Sequence, residues 1–143
     1  MYYVSKRLEI SAAHRLSLDY ESKCSSLHGH NWIITVHCRA KELNANGMVT
    51  DFTDIKRLVS DRLDHKCLND VVDFNPTAEN IARWICDNVA NCYRVDVQES
   101  EGNTASYEKD LYSKRDFLFA AGRRLVHGHS RRVPALQRLQ PPL

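Results

Sequence analysis

The chain has 143 residues, of which 43% are hydrophobic and 27% charged, and its formal net charge is +2. That length supports one domain with a real core, and so ordinary a composition excludes the disordered and fibrous classes. No run approaches the roughly 20 apolar residues of a membrane span, and the N-terminus Met1-Tyr2-Tyr3-Val4-Ser5-Lys6-Arg7 lacks the apolar stretch of an export signal. A cytoplasmic protein that does not contact a membrane is the expectation.

Residues 2 to 12 place Val4, Leu8, Ile10 and Ala12 on even positions, the period of a strand with one buried face. His14 continues that face if the strand runs on. Trp32, Ile34, Val36 and Cys38 repeat the pattern in a second strand, and His28 and His30 precede them on the same parity, so two imidazoles of the His28-Gly29-His30 triplet point the same way. Gly29 between them suits a backbone that bends or passes close to a site. Zinc accepts neutral imidazole nitrogen, and a catalytic zinc usually takes three protein ligands and keeps a fourth position open. Each histidine alone would read as an ordinary polar residue. Together, His14, His28 and His30 can supply an open triad.

Asn46-Gly47 signals a turn, after which Met48-Val49 can pair back on the preceding strand. From Asp51 to Leu63, the residues Phe52, Ile55, Val59 and Leu63 fall on one helical stripe. Asp64-His65 closes that helix, where His65 either complements the helix dipole or is an acid-assisted proton-transfer group. Asn75-Pro76-Thr77-Ala78-Glu79 opens a second helix, with Thr77 as N-cap and Ala78, Ile81, Ala82, Ile85 and Val89 on its apolar face. Tyr93 to Glu99 alternates again, as does Thr104 to Glu108 more weakly. Glu99 is either an exposed strand-end carboxylate or one that accepts paired hydrogen bonds from a guanidine-like ring edge. The order ββααββ implies an α+β domain: an antiparallel four-stranded sheet with two helices on one face.

Cys24, Cys38, Cys67, Cys86 and Cys92 are odd in number and contain no CxxC pair, which argues for reduced thiols. Four are expected to be packing or surface residues. Cys24 differs because a nearby metal ion would lower its pKa toward the reactive thiolate. From Ser113 onward, seven basic residues face one acid, a net of +6 that leaves the rest of the chain at −4. Residues 1–110 are therefore read as the folded domain and 111–143 as a basic, poorly ordered extension. The extension carries a second triplet, His127-Gly128-His129, which has no regular strand and no third ligand and is read as coincidental.

Six blocks in order complete the reading: Ser11-Ala12-Ala13-His14-Arg15-Leu16, Cys24-Ser25-Ser26-Leu27-His28-Gly29-His30-Asn31, Gly47-Met48-Val49-Thr50-Asp51-Phe52, Leu63-Asp64-His65-Lys66-Cys67-Leu68-Asn69, Asn75-Pro76-Thr77-Ala78-Glu79-Asn80 and Gln98-Glu99-Ser100. They resemble the 6-pyruvoyltetrahydropterin synthase superfamily. The three residues between Cys24 and His28 are similar to the bacterial 6-carboxy-5,6,7,8-tetrahydropterin synthase branch of queuosine biosynthesis. The resemblance implies a T-fold (tunnelling fold) and Zn2+ on His14, His28 and His30. It further implies Cys24 as general base, Asp64 and His65 as proton-transfer partners and Glu99 as the pterin-binding residue. The implied reaction converts 7,8-dihydroneopterin triphosphate to 6-carboxy-5,6,7,8-tetrahydropterin, acetaldehyde and triphosphate. It also implies a homo-oligomer, a hexamer built as a dimer of trimers, with sites where subunits meet. Lys23, Lys66 and Arg83 are candidates for the triphosphate.

Three alternatives stand beside this reading: pyruvoyltetrahydropterin synthesis from the same substrate, a zinc hydrolase using the same open triad, and a nucleic-acid-binding module acting through the basic tail. A hydrolase would leave Cys24, Asp64, His65 and Glu99 without a joint role, and nucleic acid is the less expected partner because short basic tails are commonly only solvated.

Overall fold

The computed structural model describes residues 1–110; the basic extension 111–143, with its second histidine triplet, lies outside the described residues. Strand β1 (Tyr2–His14) runs through to His14 as the parity of its apolar residues requires, and β2 (His28–Ala40) pairs with it antiparallel along its whole length. Between them a 3-10 turn, Lys23–Ser25, interrupts the loop. Then follow α1 (Phe52–Leu63), β3 (Lys66–Cys67), α2 (Leu68–Val71), α3 (Ala78–Asn88), β4 (Cys92–Ser100) and β5 (Asn103–Glu108).

The sheet order is β3-β1-β2-β4-β5, antiparallel except that β3 runs parallel to β1 through Ala12 and Ala13. The α+β class and helix placement follow the expectation, and the four-stranded antiparallel sheet is corrected to a five-stranded mixed one. The extra strand has two residues, too short to show any periodicity. It forms because the chain leaving α1 is stitched to β1, His65 N–H donating to the Ser11 carbonyl at 2.7 Å. A second correction concerns Met48-Val49, which forms no strand. Asn44 folds the segment instead, its carbonyl accepting from Gly47 N–H and its side chain from the N–H groups of Asn46 and Met48, with Gly47 at φ 77°.

Asp51 caps α1 by accepting the Thr53 N–H at 2.8 Å, and Thr77 caps α3 by accepting that of Asn80 at 3.1 Å. Ile55, Val59 and Leu63 of α1 are buried over β1, while Phe52 at the first turn stays 45% exposed with Lys6 of β1 over its ring. α3 covers β4 and β5 with Ile81, Ala82 and Ile85. Against these helices the sheet presents Leu8, Ile10 and Ala12, then Trp32, Ile34 and Val36, then Val95 and Val97. Each such large side chain contributes about 1.5–3 kcal/mol on burial.

A bulge decides what closes this core at its far end. His37 pairs with Arg94 but Cys38 pairs with Cys92, so Tyr93 is the extra residue of β4. Without it the alternation from Val97 and Val95 would turn Tyr93 inward. With it, Cys92 faces the core opposite Cys38. No helix among the described residues is long and apolar enough to cross a membrane.

Candidate active site

The β1–β2 register sets His14 directly opposite His28 and Ala12 opposite His30, which gathers three imidazoles at the end of one sheet face. Their ring centroids are 4.6, 4.9 and 5.2 Å apart. Nδ1 of His14 lies 2.8 Å from the Pro76 carbonyl, and Nδ1 of His28 lies 2.7 Å from that of Ser26. A carbonyl only accepts, so each of these nitrogens carries a hydrogen, and in the neutral ring Nε2 is then the lone pair. Burial lowers the pKa of His14 against the Pro76 carbonyl and Glu99, which raise it, and the neighbouring His28 and His30 lower it further. His14 is therefore a neutral imidazole at pH 7.

Nε2 of His14 and of His30 are buried without a hydrogen-bond partner. Leaving one such atom unsatisfied costs roughly 1–3 kcal/mol, so two together ask for an occupant. One ligand atom from each of His14, His28 and His30 lies within 4.8 Å of the other two. Three converging imidazole nitrogens, two of them on rings whose Nδ1 is fixed by a carbonyl, fit a metal ion. Trp32, fully buried, forms the floor: it meets His14 and His30 edge to face, and its indole N–H donates to the Ala12 carbonyl at 3.1 Å.

Glu99 stands closer to this cluster than its place at a strand end suggested. One carboxylate oxygen is 3.6 Å from Nε2 of His14 and the other 3.6 Å from Nε2 of His30, with 26% of the side chain exposed. Those distances exceed a hydrogen bond, so the carboxylate faces the same space as the lone pairs without satisfying them. The β2–β4 pairing, with Ile33 opposite Gln98, brings it there.

Asp64 and His65 sit on the other flank of β1. Asp64 Oδ1 accepts the Ser11 N–H at 2.8 Å and lies 3.8 Å from His65 Nε2. His65 has φ 59° and an 82% exposed side chain. It shares an open cavity of about 570 Å³ with His30, Gly29, Ser11, Asn31 and Lys66. A Cβ on Gly29 would meet only the Ala12 carbonyl, at an ordinary 3.8 Å, so close backbone approach is not why a glycine stands there. It leaves the cavity floor low.

Cys24 is exposed on the Lys23–Ser25 turn, where Ser22 Oγ accepts its N–H at 3.1 Å and its carbonyl accepts the Leu16 N–H at 2.8 Å. Two residues later, Ser26 supplies the carbonyl that orients His28. Cys24 does not line the cavity that His65 and His30 share. Of the cationic candidates, Lys66 lines that cavity, Lys23 neighbours Cys24, and Arg83 is committed on α3 to Asp87 at 3.7 Å. The orienting carbonyls of Pro76 and Ser26 are not legible in the sequence: Pro76 reads only as a helix-start signal, and no side chain marks a backbone acceptor.

Residues 3–110 match the family described as 6-pyruvoyl tetrahydropterin synthase. The 6-carboxy-5,6,7,8-tetrahydropterin synthase of Bacillus subtilis is 35% identical over 95 residues, which is 62% of this chain and 65% of that protein, so the chain spans just under two thirds of its length. The protein of the same name from Synechocystis is 35% identical over 121 residues, covering 75% of this chain and 93% of the relative. The 6-pyruvoyl tetrahydropterin synthase of Caenorhabditis elegans superposes with a TM-score of 0.61 at 28% identity, covering 76% of this chain and 96% of that one.

Proposed function

The chain belongs to the 6-pyruvoyl tetrahydropterin synthase family, and on that premise we propose that it converts 7,8-dihydroneopterin triphosphate and one water to 6-carboxy-5,6,7,8-tetrahydropterin, acetaldehyde and triphosphate. The observation that carries this reading is the meeting of three imidazoles with Glu99, one of them, His30, lining an open cavity. The bacterial and cyanobacterial relatives and the short interval between Cys24 and His28 support this branch, and with it a place in queuosine biosynthesis.

His14, His28 and His30 would hold Zn2+ through their free nitrogens. Bound there, the ion would acidify the vicinal hydroxyls of the substrate side chain and stabilise the negative charge that develops on them. The protein's own groups do the rest. Cys24, as thiolate, removes a side-chain proton that water would leave in place at neutral pH. Asp64 orients His65, which returns protons from the cavity flank. Glu99 anchors the pterin, its carboxylate accepting paired hydrogen bonds from the guanidine-like ring edge, and its place beside His14 and His30 supports a role in this site. No external reductant is needed, because the ring is reduced at the expense of the side chain.

Cys24 and His65 are both exposed, as groups that complete a site against another copy must be. We therefore assign a homo-oligomer, a hexamer of two trimers, as the active form, in the cytoplasm. Pyruvoyl product from the same substrate is the second reading, favoured by the likeness to the Caenorhabditis elegans enzyme.

The test is incubation of the zinc-loaded protein with 7,8-dihydroneopterin triphosphate, with the pterin product identified by mass and acetaldehyde assayed. Carboxypterin with stoichiometric acetaldehyde supports the reading, and pyruvoylpterin without acetaldehyde transfers the chain to the other branch. Cys24→Ala should lower kcat by about 100-fold or more with unchanged metal content. Carboxypterin formed at the wild-type rate would remove Cys24 as the base.

A further inference from the structure

The segment 15–17 leaves β1 in the direction of the Cys24 turn, and two asparagines from outside the sheet hold its backbone. Asn69, on α2, accepts the Arg15 N–H through Oδ1 at 2.9 Å and donates from Nδ2 to the Arg15 carbonyl at 2.9 Å. Asn75, just before α3, does the same to Ser17, at 2.8 and 3.0 Å. Leu16, between them, turns its N–H the other way and donates to the Cys24 carbonyl at 2.8 Å. This alternation is that of a strand. On one side two side-chain amides replace the missing neighbour strand, and on the other the neighbour is the turn that bears Cys24.

Asn75 is itself fixed, because its carbonyl accepts from Asn80 Nδ2 at 3.0 Å. The next residue, Pro76, supplies the carbonyl that orients His14. One dipeptide thus grips the Cys24 segment with its side chain and a metal-site histidine with its backbone. Buried or loosely placed asparagines satisfy their amides in many ways; two that each close a paired donor and acceptor on alternate residues of one segment do so for register.

We propose that Asn69 and Asn75 are positioning residues that hold Cys24 in place relative to His14, His28 and His30. The proposal rests on the reading of Cys24 as the base. Without the clamps, residues 15–21 of the segment keep the Leu16–Cys24 hydrogen bond, while the Ser22 cap and the turn bonds of Ser25 and Ser26 to the Ser22 and Lys23 carbonyls order its far end. Displacing a reacting group by about 1 Å costs up to about 100-fold in rate, whereas substrate affinity, set elsewhere, is spared.

Asn69→Asp and Asn75→Asp keep shape and acceptor but replace the donor with an oxygen facing a carbonyl. Each is measured as the full chain by amide hydrogen exchange, by zinc content, by the visible spectrum of the cobalt-substituted protein and by turnover of 7,8-dihydroneopterin triphosphate. Exchange in the peptide covering residues 15–24 should quicken at least about tenfold, while residues 28–40 keep wild-type protection and so report an intact fold. Zinc content and the cobalt spectrum should not change. kcat should fall about tenfold in each and about 100-fold in the pair, with KM within about twofold. Asn88→Ala, which removes an asparagine at the far end of α3, should leave every readout at the wild-type value. Wild-type exchange at residues 15–24 in both variants overturns the proposal, and so does a kcat loss matched by an equal loss of zinc. If the wild type itself does not turn over this substrate, the functional reading fails, and exchange alone still decides whether the asparagines hold the segment.

Discussion

The two ends of strands β2 and β4 each gather three side chains capable of binding a metal, and they have opposite characters. At one end stand His14, His28 and His30 beside Glu99; at the other, Cys38, Cys86 and Cys92, all buried. The Cys92 thiol is satisfied, donating to the Arg94 carbonyl at 3.5 Å beside Cys38 and Cys86. Hydrogen bonds with Cys38 and Cys86, and then burial, push the Cys92 thiol far up, so it stays protonated and unreactive. The imidazoles are not satisfied: carbonyls occupy Nδ1 of His14 and His28, and the buried Nε2 atoms of His14 and His30 are left over. Residue type and proximity do not separate a binding site from a packing cluster. Residual hydrogen-bonding capacity does.

The sharpest way to break this comparison is to remove one imidazole. His28→Ala should cut zinc retention at least about 100-fold by metal analysis after dialysis, since losing even an orienting partner costs 10–100-fold. Equal retention by wild type and variant would place the metal elsewhere. At the other end, Cys92→Ser should lose about 1–3 kcal/mol in urea unfolding, because a more polar hydroxyl on a shorter bond is buried where the larger sulfur packs and reaches the Arg94 carbonyl. Its zinc content should match the wild type; any loss of zinc there would show that the thiol end is no mere packing cluster.

The smallest effect sharpens the rule on the uncovered sheet face, where Asp96 is satisfied throughout. Burial raises its pKa, but hydrogen bonds from Ser106 at 2.6 Å, His37 at 2.8 Å and Arg94 at 2.9 Å outweigh that and leave it lowered. A lowered native value contributes stability that is complete above the unfolded value of about 3.9 and is lost as pH falls through the native one. Asp96→Asn should therefore cost about 1 kcal/mol at pH 7 and almost nothing near pH 2, read from unfolding curves at the two pH values. A gap that stays constant with pH would mean the carboxylate charge is irrelevant.

How legible the site was in the sequence follows the range of the interactions that build it. Parity alone put His14, His28 and His30 on one face, because two adjacent strands with unbroken alternation need only a turn between them. Helices α1 and α3 follow from stripes and caps within a dozen residues, except that Phe52 of the α1 stripe is exposed beside Lys6, and the four-residue α2 is too short to show a stripe. Glu99 against the imidazoles depends on the β2–β4 register, and the Tyr93 bulge that adjusts that ladder leaves no local signature. β3 exists only because Ser11 captures the chain after α1. The asparagine clamps pair residues far apart in sequence through neutral amides, which carry neither hydrophobic period nor charge.

His65 ends α1 in the left-handed region, with φ 59°, where glycine is the unstrained choice. Keeping an imidazole there costs about 1 kcal/mol relative to glycine. Stability and the side chain that lines the cavity are thus opposed at a single position. A laboratory population of this chain selected only for heat resistance would drift toward His65→Gly early, gaining melting temperature while emptying the cavity flank. Sequencing such a population would show whether this position records selection for something other than folding.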